Sequence, residues 1–76
     1  MYYVYLIRNK KTKGIYIGYT EDLERRFKEH KDKNPQLIYY EAYKHGEDAQ
    51  TRERQLKQRG QGIRWLKSRL QKSLSE

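Results

Sequence analysis

Three ionisable side chains fall on helix faces that should otherwise be apolar. At about 100° per residue, Arg26 and His30 lie within about 60° of Leu23, an apolar anchor of the first predicted helix. In the second predicted helix, Glu53 lies within about 40° of Ala49. Surface helices normally carry their charges on the opposite side, so these three positions are candidates for chemistry.

The three side chains are of the types that phosphodiester hydrolysis requires. A guanidinium such as that of Arg26 offers fixed, paired donors to a phosphate. A single carboxylate such as that of Glu53 can hold a largely hydrated Mg²⁺, with substrate phosphate completing the coordination. A histidine or a tyrosine can accept the proton of the attacking water. The same residues also allow a structural interpretation, in which Arg26 and Glu53 form an ion pair between two helices and His30 is a hydrogen-bonded core residue.

Two tyrosine-rich strands precede the first helix and supply further candidates. Residues 2–8 are dense in Tyr, Val, Leu and Ile, and the polar loop 9–14 ends in glycine, which is typical of a β-hairpin. Residues 15–19 form the returning strand. Tyr5 and Tyr16 are the candidate site residues on the two strands. Whether their side chains share a face depends on the hairpin register, which the sequence leaves open.

The whole pattern predicts an α+β fold, in which a three-stranded antiparallel sheet is flanked by helices in the order ββαβαα. The chain is predicted to form a single domain over residues 1–76, and the position of the third strand in the sheet is open. The other predicted elements are a helix with its N-cap at Thr20 and its end near His30 or Lys31, a polar linker over 31–35, a strand over Leu37–Tyr43, a helix from Glu47 to about Arg59 that Gly60 stops, and a helix from Ile63 to about Leu74.

The charge balance points to a polyanionic partner. The 76 residues include 18 lysines and arginines against 10 acidic residues, which gives a formal net charge of +8. Nucleic acid is the first expectation for such a chain, and an anionic membrane surface is the second. The absence of cysteine excludes disulfides and thiolate metal sites. No apolar run is long enough for a signal sequence or a membrane span, so we expect a cytoplasmic protein with no membrane partner.

Two short motifs and two helices together resemble the GIY-YIG endonuclease family. Tyr3-Val4-Tyr5 and, after the loop, Tyr16-Ile17-Gly18 resemble the paired motif of that family. Residues 20–30 resemble its first helix, and residues 49–57 resemble its metal-binding helix. The resemblance covers nearly the whole chain and is closest to the small stand-alone bacterial members. The chain differs from the family pattern in the first two residues of the first motif, in the short segment 31–36, and in lacking an asparagine after the metal-binding helix.

The resemblance implies a metal-dependent endonuclease that uses one Mg²⁺ or Mn²⁺ ion to hydrolyse nucleic acid, which we expect to be DNA. It matches Tyr5 and Tyr16 to the two motif tyrosines, one of which is the proposed general base. It matches Arg26 to the catalytic arginine and His30 to the histidine beside it. Glu53 matches the single metal ligand. Repair or recombination of DNA is the setting that the resemblance suggests.

Two other functions fit parts of the pattern. A non-catalytic nucleic-acid-binding module would use the basic helices for phosphate contacts and exposed tyrosines for stacking. A partner-recruiting subunit would use Trp65, which lies opposite the apolar stripe of the last helix. An inward carboxylate at Glu53 favours the enzyme, because it repels phosphate unless a metal ion is bound to it.

Overall fold

The computed structural model describes residues 1–31, 34–58 and 61–75. It confirms the predicted α+β class, with a three-stranded antiparallel sheet and helices in the order ββαβαα, the last helix being divided in two. The elements are β1 (Tyr2–Asn9), β2 (Ile15–Thr20), α1 (Leu23–Glu29), β3 (Pro35–Tyr43), α2 (Gly46–Lys57), α3 (Gln61–Arg69) and α4 (Gln71–Ser75).

The first strand lies in the centre of the sheet, whose order is β2-β1-β3. Both neighbours pair with β1 in antiparallel fashion. The third strand, whose position in the sheet the sequence had left open, therefore lies beside β1. The β1–β3 ladder shifts after Leu6, since Leu6 pairs with Tyr39 whereas Ile7 pairs with Leu37. Ile38 is therefore an extra residue in β3, and side chains on either side of it alternate out of phase.

The hydrophobic core lies between one face of the sheet and the helices α2 and α3. It is formed by Val4, Leu6, Ile17, Ala49, Leu56 and Leu66, all of them buried. The intervening residues of β1, Tyr5 and Ile7, are buried on the opposite face. The central strand is thus buried on both faces, which explains why it reads as an almost continuous apolar run rather than an alternating one.

The start of α1 differs from the prediction. Thr20 does not cap the helix, because it is still the last residue of β2 and pairs with Tyr3. Its hydroxyl accepts the backbone N–H of Asp22 at 3.1 Å. Asp22 is the N-cap, with a side-chain oxygen that accepts the backbone N–H of Arg25 at 3.1 Å. Asp and Thr are both good caps, and the strand pairing of Thr20 decides between them.

Two other boundaries also differ from the prediction. β3 begins at Pro35, inside the predicted linker, because Pro35 pairs with Asn9 at the end of β1. The last helix is interrupted at Leu70, which separates α3 from α4. α2 is helical to Lys57, and the predicted stop at Gly60 falls outside the described residues. None of the described helices is long and apolar enough to cross a membrane.

A polar network holds α2 against β3 beside the core. The guanidinium of Arg52 donates from Nε and Nη2 to the two carboxylate oxygens of Glu41, at 2.9 Å and 3.1 Å. Tyr39 and Tyr43 also donate their hydroxyls to this carboxylate. The other side of the guanidinium lies over the ring of Trp65, 4.8 Å from its centroid. Trp65 is partly exposed, as predicted, but it also contributes to the packing of α2 on α3.

We expect Glu41 to make the protein sensitive to acid. Burial raises the pKa of its carboxyl, but the hydrogen bonds from Arg52, Tyr39 and Tyr43 outweigh burial and bring the pKa below the ordinary 4.5. A depressed folded-state pKa contributes stability that is present above about pH 4.5 and is lost as the pH falls through the folded-state value. In urea unfolding, the wild type should therefore lose more stability below about pH 4.5 than Glu41→Gln.

The exposed Glu47 provides the matched control for this experiment. Glu47→Gln removes a carboxylate from the first turn of α2 without touching the network. It should retain the steep acid dependence of the wild type. Equal acid dependence in the wild type and in Glu41→Gln would contradict the prediction.

Candidate active site

The hairpin register places the two motif tyrosines on the same face of the sheet. Tyr5 pairs with Gly18, and Ile7 pairs with Tyr16. Since Tyr5 and Ile7 are two residues apart on β1, their side chains and that of Tyr16 point to the face opposite the main core. The ring centroids of Tyr5 and Tyr16 are 6.2 Å apart. The alternative that the sequence left open is thereby resolved in favour of a shared face.

Gly18 provides the space in which the ring of Tyr5 lies. A Cβ built on Gly18 would come within 2.3 Å of the Tyr5 hydroxyl oxygen and 2.4 Å of its Cζ atom. The Tyr5 ring therefore crosses from the central strand over the backbone of β2, and only a residue without a side chain permits this. The last residue of the Tyr-Ile-Gly motif thus has a packing role, because it allows Tyr5 to reach its partners on α1.

We expect Gly18→Ala to displace Tyr5 and to destabilise the protein. The ring is 1% exposed and is held by hydrogen bonds, so the added methyl group cannot be accommodated by a simple rotation. Overpacking of this kind costs about 1–3 kcal/mol of unfolding free energy. The measurement is thermal or denaturant unfolding. Gly14→Ala, whose Cβ would lie 3.3 Å from the Thr12 hydroxyl in an exposed loop, should cost much less.

Helix α1 brings two cationic or titratable groups to the Tyr5 hydroxyl. Arg26 donates from Nε to this oxygen at 3.3 Å, and His30 Nε2 lies 3.4 Å from it. The His30 ring is also 5.1 Å from the ring of Tyr16, measured between centroids. In α1 and its C-cap, the residues that are not exposed are Leu23, Arg26, Phe27 and His30. The helical stripe predicted from the sequence is therefore confirmed.

The environments of the two tyrosines are different. Burial raises the pKa of the Tyr5 phenol, and the hydrogen bond from Arg26 offsets this only in part. Tyr5 is therefore a neutral phenol near neutral pH, suited to orienting Arg26 and His30. The same contact raises the pKa of the Arg26 guanidinium, so that it stays charged. Tyr16 is 41% exposed, and water can reach its hydroxyl.

Glu53 approaches the same site from α2. Its charge contributes to the raised pKa of Tyr5, after the larger effects of burial and of Tyr16. Its carboxylate forms an ion pair with Lys57 at 3.3 Å, and the ammonium of Lys57 lies 5.7 Å from the centroid of the Tyr16 ring. Because α2 packs on the opposite face, these two side chains reach the tyrosines past the edge strand β2.

The ion pair between Arg26 and Glu53 that the sequence allowed is not the one that forms. Arg26 pairs with Glu29 of its own helix at 3.2 Å, and Glu53 pairs with Lys57. Each inward charge is balanced by a residue three or four positions away on the same helix. The two helices are therefore not joined by an ion pair between these residues, and that part of the structural interpretation is wrong, whereas His30 is buried and contacts the Tyr5 hydroxyl as the same interpretation required.

The residues present fit one hydrated divalent cation. Over the ranges that the structure describes, no three His, Cys, Asp or Glu side chains are grouped in a way that could enclose a metal ion. Glu53 offers a carboxylate at the site, and its side chain is 24% exposed. Mg²⁺ is commonly bound by one or two carboxylates, several waters and the phosphates of the substrate, and such a site needs no protein cage.

Two features of the structure around the site were not predicted from the sequence. Lys57 lies four residues after Glu53, a spacing that predicts an ion pair on a helix, but not a position over Tyr16. The Glu41–Arg52 network leaves a clearer signal, because Glu41 alternates with Tyr39 and Tyr43 on one strand face. Arg52 also directly precedes Glu53, so the network fixes the part of α2 from which Glu53 extends.

Comparison with known protein families supports what the motifs suggested. The GIY-YIG catalytic domain matches residues 1–65. Neither a search of curated proteins nor a search of solved structures found a match. The family match includes both tyrosine motifs, helix α1 and the helix that carries Glu53. Because it covers most of the 76 residues, this chain belongs to the GIY-YIG catalytic-domain family, whose members are nucleases.

Proposed function

We propose that this protein is a metal-dependent endonuclease that hydrolyses phosphodiester bonds in DNA. The observation that carries the proposal is the convergence of side chains from β2, from α1 and from its C-cap around Tyr5 of β1. Arg26 and His30 lie 3.3 Å and 3.4 Å from the Tyr5 oxygen, and Tyr16 lies beside His30. Glu53 approaches this group from α2, and its side chain is partly open to solvent.

In the proposed reaction, Tyr16, the exposed tyrosine of the pair, accepts the proton of the attacking water as it gives up its own phenolic proton. His30, 5.1 Å away between ring centroids, is placed to receive that proton and pass it on. The water oxygen forms a bond to phosphorus while the bond from phosphorus to the leaving sugar oxygen breaks. The leaving oxygen takes its proton from bulk water.

Arg26 has the role of stabilising the charge that builds up on the phosphoryl oxygens. Its guanidinium is partly exposed and is oriented by Tyr5 on one side and Glu29 on the other. A side chain held in place in this way needs little reorganisation when the charge develops, which is the condition for efficient electrostatic stabilisation. Tyr5 is in this view a positioning residue, kept neutral by burial.

Glu53 is the residue that would hold a single Mg²⁺ or Mn²⁺ ion. When bound, such an ion supplies Lewis-acid stabilisation of the phosphoryl and leaving oxygens. The chain itself contributes the remaining charge for substrate binding, with a formal net charge of +8. Contacts between its lysines and arginines and the phosphates should make the affinity for DNA fall steeply with salt.

The proposal is tested by incubating the purified protein with end-labelled single-stranded, duplex and branched DNA, and with RNA. Each substrate is tested with Mg²⁺, with Mn²⁺ and with EDTA. We expect internal cleavage of a DNA substrate that requires the divalent ion. Binding without cleavage of any substrate would instead support a non-catalytic module, and cleavage of RNA alone would move the proposal to that substrate.

A further inference from the structure

Lys57 is the charged residue of the site to which the proposed reaction gives no role. Its ammonium lies 3.3 Å from Glu53 Oε2 and 5.7 Å from the centroid of the Tyr16 ring. The first contact is with the carboxylate that the proposed function assigns to the divalent ion, and the second is with the tyrosine that faces solvent. Lys57 therefore lies between the two groups that the reaction has to bring to the phosphate.

A second ion pair in the chain differs from the Lys57–Glu53 pair in its exposure to solvent. Lys28 and Glu24 have the same four-residue spacing on α1 and are 3.4 Å apart. The Glu24 side chain is 82% exposed, whereas that of Glu53 is 24% exposed. Solvent screens the first pair almost completely, but it screens the second much less. The positive charge of Lys57 therefore interacts electrostatically with Glu53 and with any ion that binds to Glu53.

The ammonium pairs with Oε2 of Glu53, and a dication bound to the same carboxylate would compete with it for the negative charge. An ion on Glu53 would stand a few ångströms from the Lys57 charge and would repel it. The lysine side chain is flexible and half-exposed, so it can rotate away from Glu53. The face of the Tyr16 ring attracts a cation at this distance and keeps the ammonium within the site. In a complex with nucleic acid, the ammonium could pair with a phosphate instead.

We propose that Lys57 is a substrate-binding residue that neutralises Glu53 in the free protein and is released onto a phosphate of the nucleic acid when a divalent ion takes the carboxylate. This inference rests on the proposed function, because it requires both the ion and the phosphate at this site. It explains why a partly buried carboxylate is tolerated beside Tyr5 and Tyr16 before the ion arrives. It also makes the affinity for the ion and the affinity for the nucleic acid interdependent.

The first test measures the affinity for Mn²⁺ by calorimetry, without nucleic acid. Lys57→Met keeps most of the side chain but removes its charge, and it should tighten Mn²⁺ binding about three- to tenfold by removing a repulsive charge. Lys28→Met removes an equal charge from the matched pair on α1 and should leave the affinity unchanged. Lys57→Gln should behave like Lys57→Met. Equal affinities of Lys57→Met and wild type would overturn the proposal.

The second test counts phosphate contacts from the salt dependence of DNA binding in EDTA. Glu53→Gln should release Lys57 and steepen the log–log slope by about one contact. Adding Lys57→Met to Glu53→Gln should remove this gain, whereas Lys57→Met alone should leave the wild-type slope unchanged. If the slope does not respond to Glu53→Gln, Lys57 is not released and the proposal fails.

The two tests also separate this inference from the proposed function. Mn²⁺ affinity and cleavage that survive in Glu53→Gln would reject the role of Glu53 and with it this inference, whereas the proposed endonuclease activity would stand; no cleavage of any substrate by the wild type would reject the proposed function itself. If Glu53→Gln loses Mn²⁺ binding and cleavage while Lys57→Met behaves like Lys28→Met, only the role of Lys57 is rejected. Circular dichroism of each variant verifies that the fold is kept.

Discussion

Glu53→Gln should reduce the rate of DNA cleavage by about a thousandfold or more while the protein remains folded. Glutamine keeps the size and hydrogen-bonding capacity of the side chain but removes the charge that attracts a divalent ion. Losing the ion removes several kcal/mol of transition-state stabilisation. The partly exposed pair with Lys57 is worth at most about 1 kcal/mol, so stability should change little.

The measurement pairs single-turnover cleavage with thermal unfolding. Glu47→Gln is the matched control, because Glu47 is an exposed acidic residue in the first turn of the same helix. It should cleave at the wild-type rate. Cleavage by Glu53→Gln that is fast and independent of metal would remove Glu53 from the mechanism. A variant that unfolds would show that Glu53 contributes mainly to stability.

Arg26→Ala should lower kcat by about a hundred- to a thousandfold, the usual loss when one preorganised donor to a developing oxyanion is removed. Arg26→Lys should recover little of it, because an ammonium cannot reproduce the planar donors of a guanidinium. The hydrogen bond from Arg26 to Tyr5 is lost in both variants, which costs about 1 kcal/mol of stability. Both proteins should therefore fold.

Arg25→Ala serves as the control for this prediction. Arg25 is the neighbouring arginine and is exposed. Its replacement by alanine removes the same charge as Arg26→Ala. It should weaken DNA binding slightly without lowering the rate of the bound complex. Equal losses of kcat in the two variants would mean that only the total charge matters. A wild-type rate for Arg26→Ala would exclude Arg26 from transition-state stabilisation.

Most of the composition of the candidate site could be predicted from helical periodicity. The inward positions of Arg26, His30 and Glu53 follow from a 3.6-residue repeat measured against the apolar residues of their helices; His30 is buried, whereas Arg26 and Glu53 are only partly covered. Periodicity also distinguishes Arg26 from Arg25. The structural alternative of an ion pair from Arg26 to Glu53 concerned a tertiary contact, and it does not form, since both residues have partners within their own helices.

The ends of the elements were predicted less well, because long-range contacts decide them. Thr20 and Asp22 are both competent helix caps, and only the pairing of Thr20 with Tyr3 in the sheet assigns the cap to Asp22. Likewise, Pro35 belongs to a strand because Asn9 pairs with it. Local propensity cannot report a partner that lies many residues away.

By itself the sequence determined the order of the elements, the inward stripe of each helix and the excess of positive charge. These depend on residue type and on spacing along one element, which are local properties. The tertiary structure decided which faces meet. The hairpin register put Tyr5 and Tyr16 together, Gly18 let the Tyr5 ring reach Arg26 and His30, and the packing of α2 brought Lys57 over Tyr16. These contacts depend on how separate elements pack against one another, because a side chain's neighbours across the sheet are set by register and packing and not by its own periodicity.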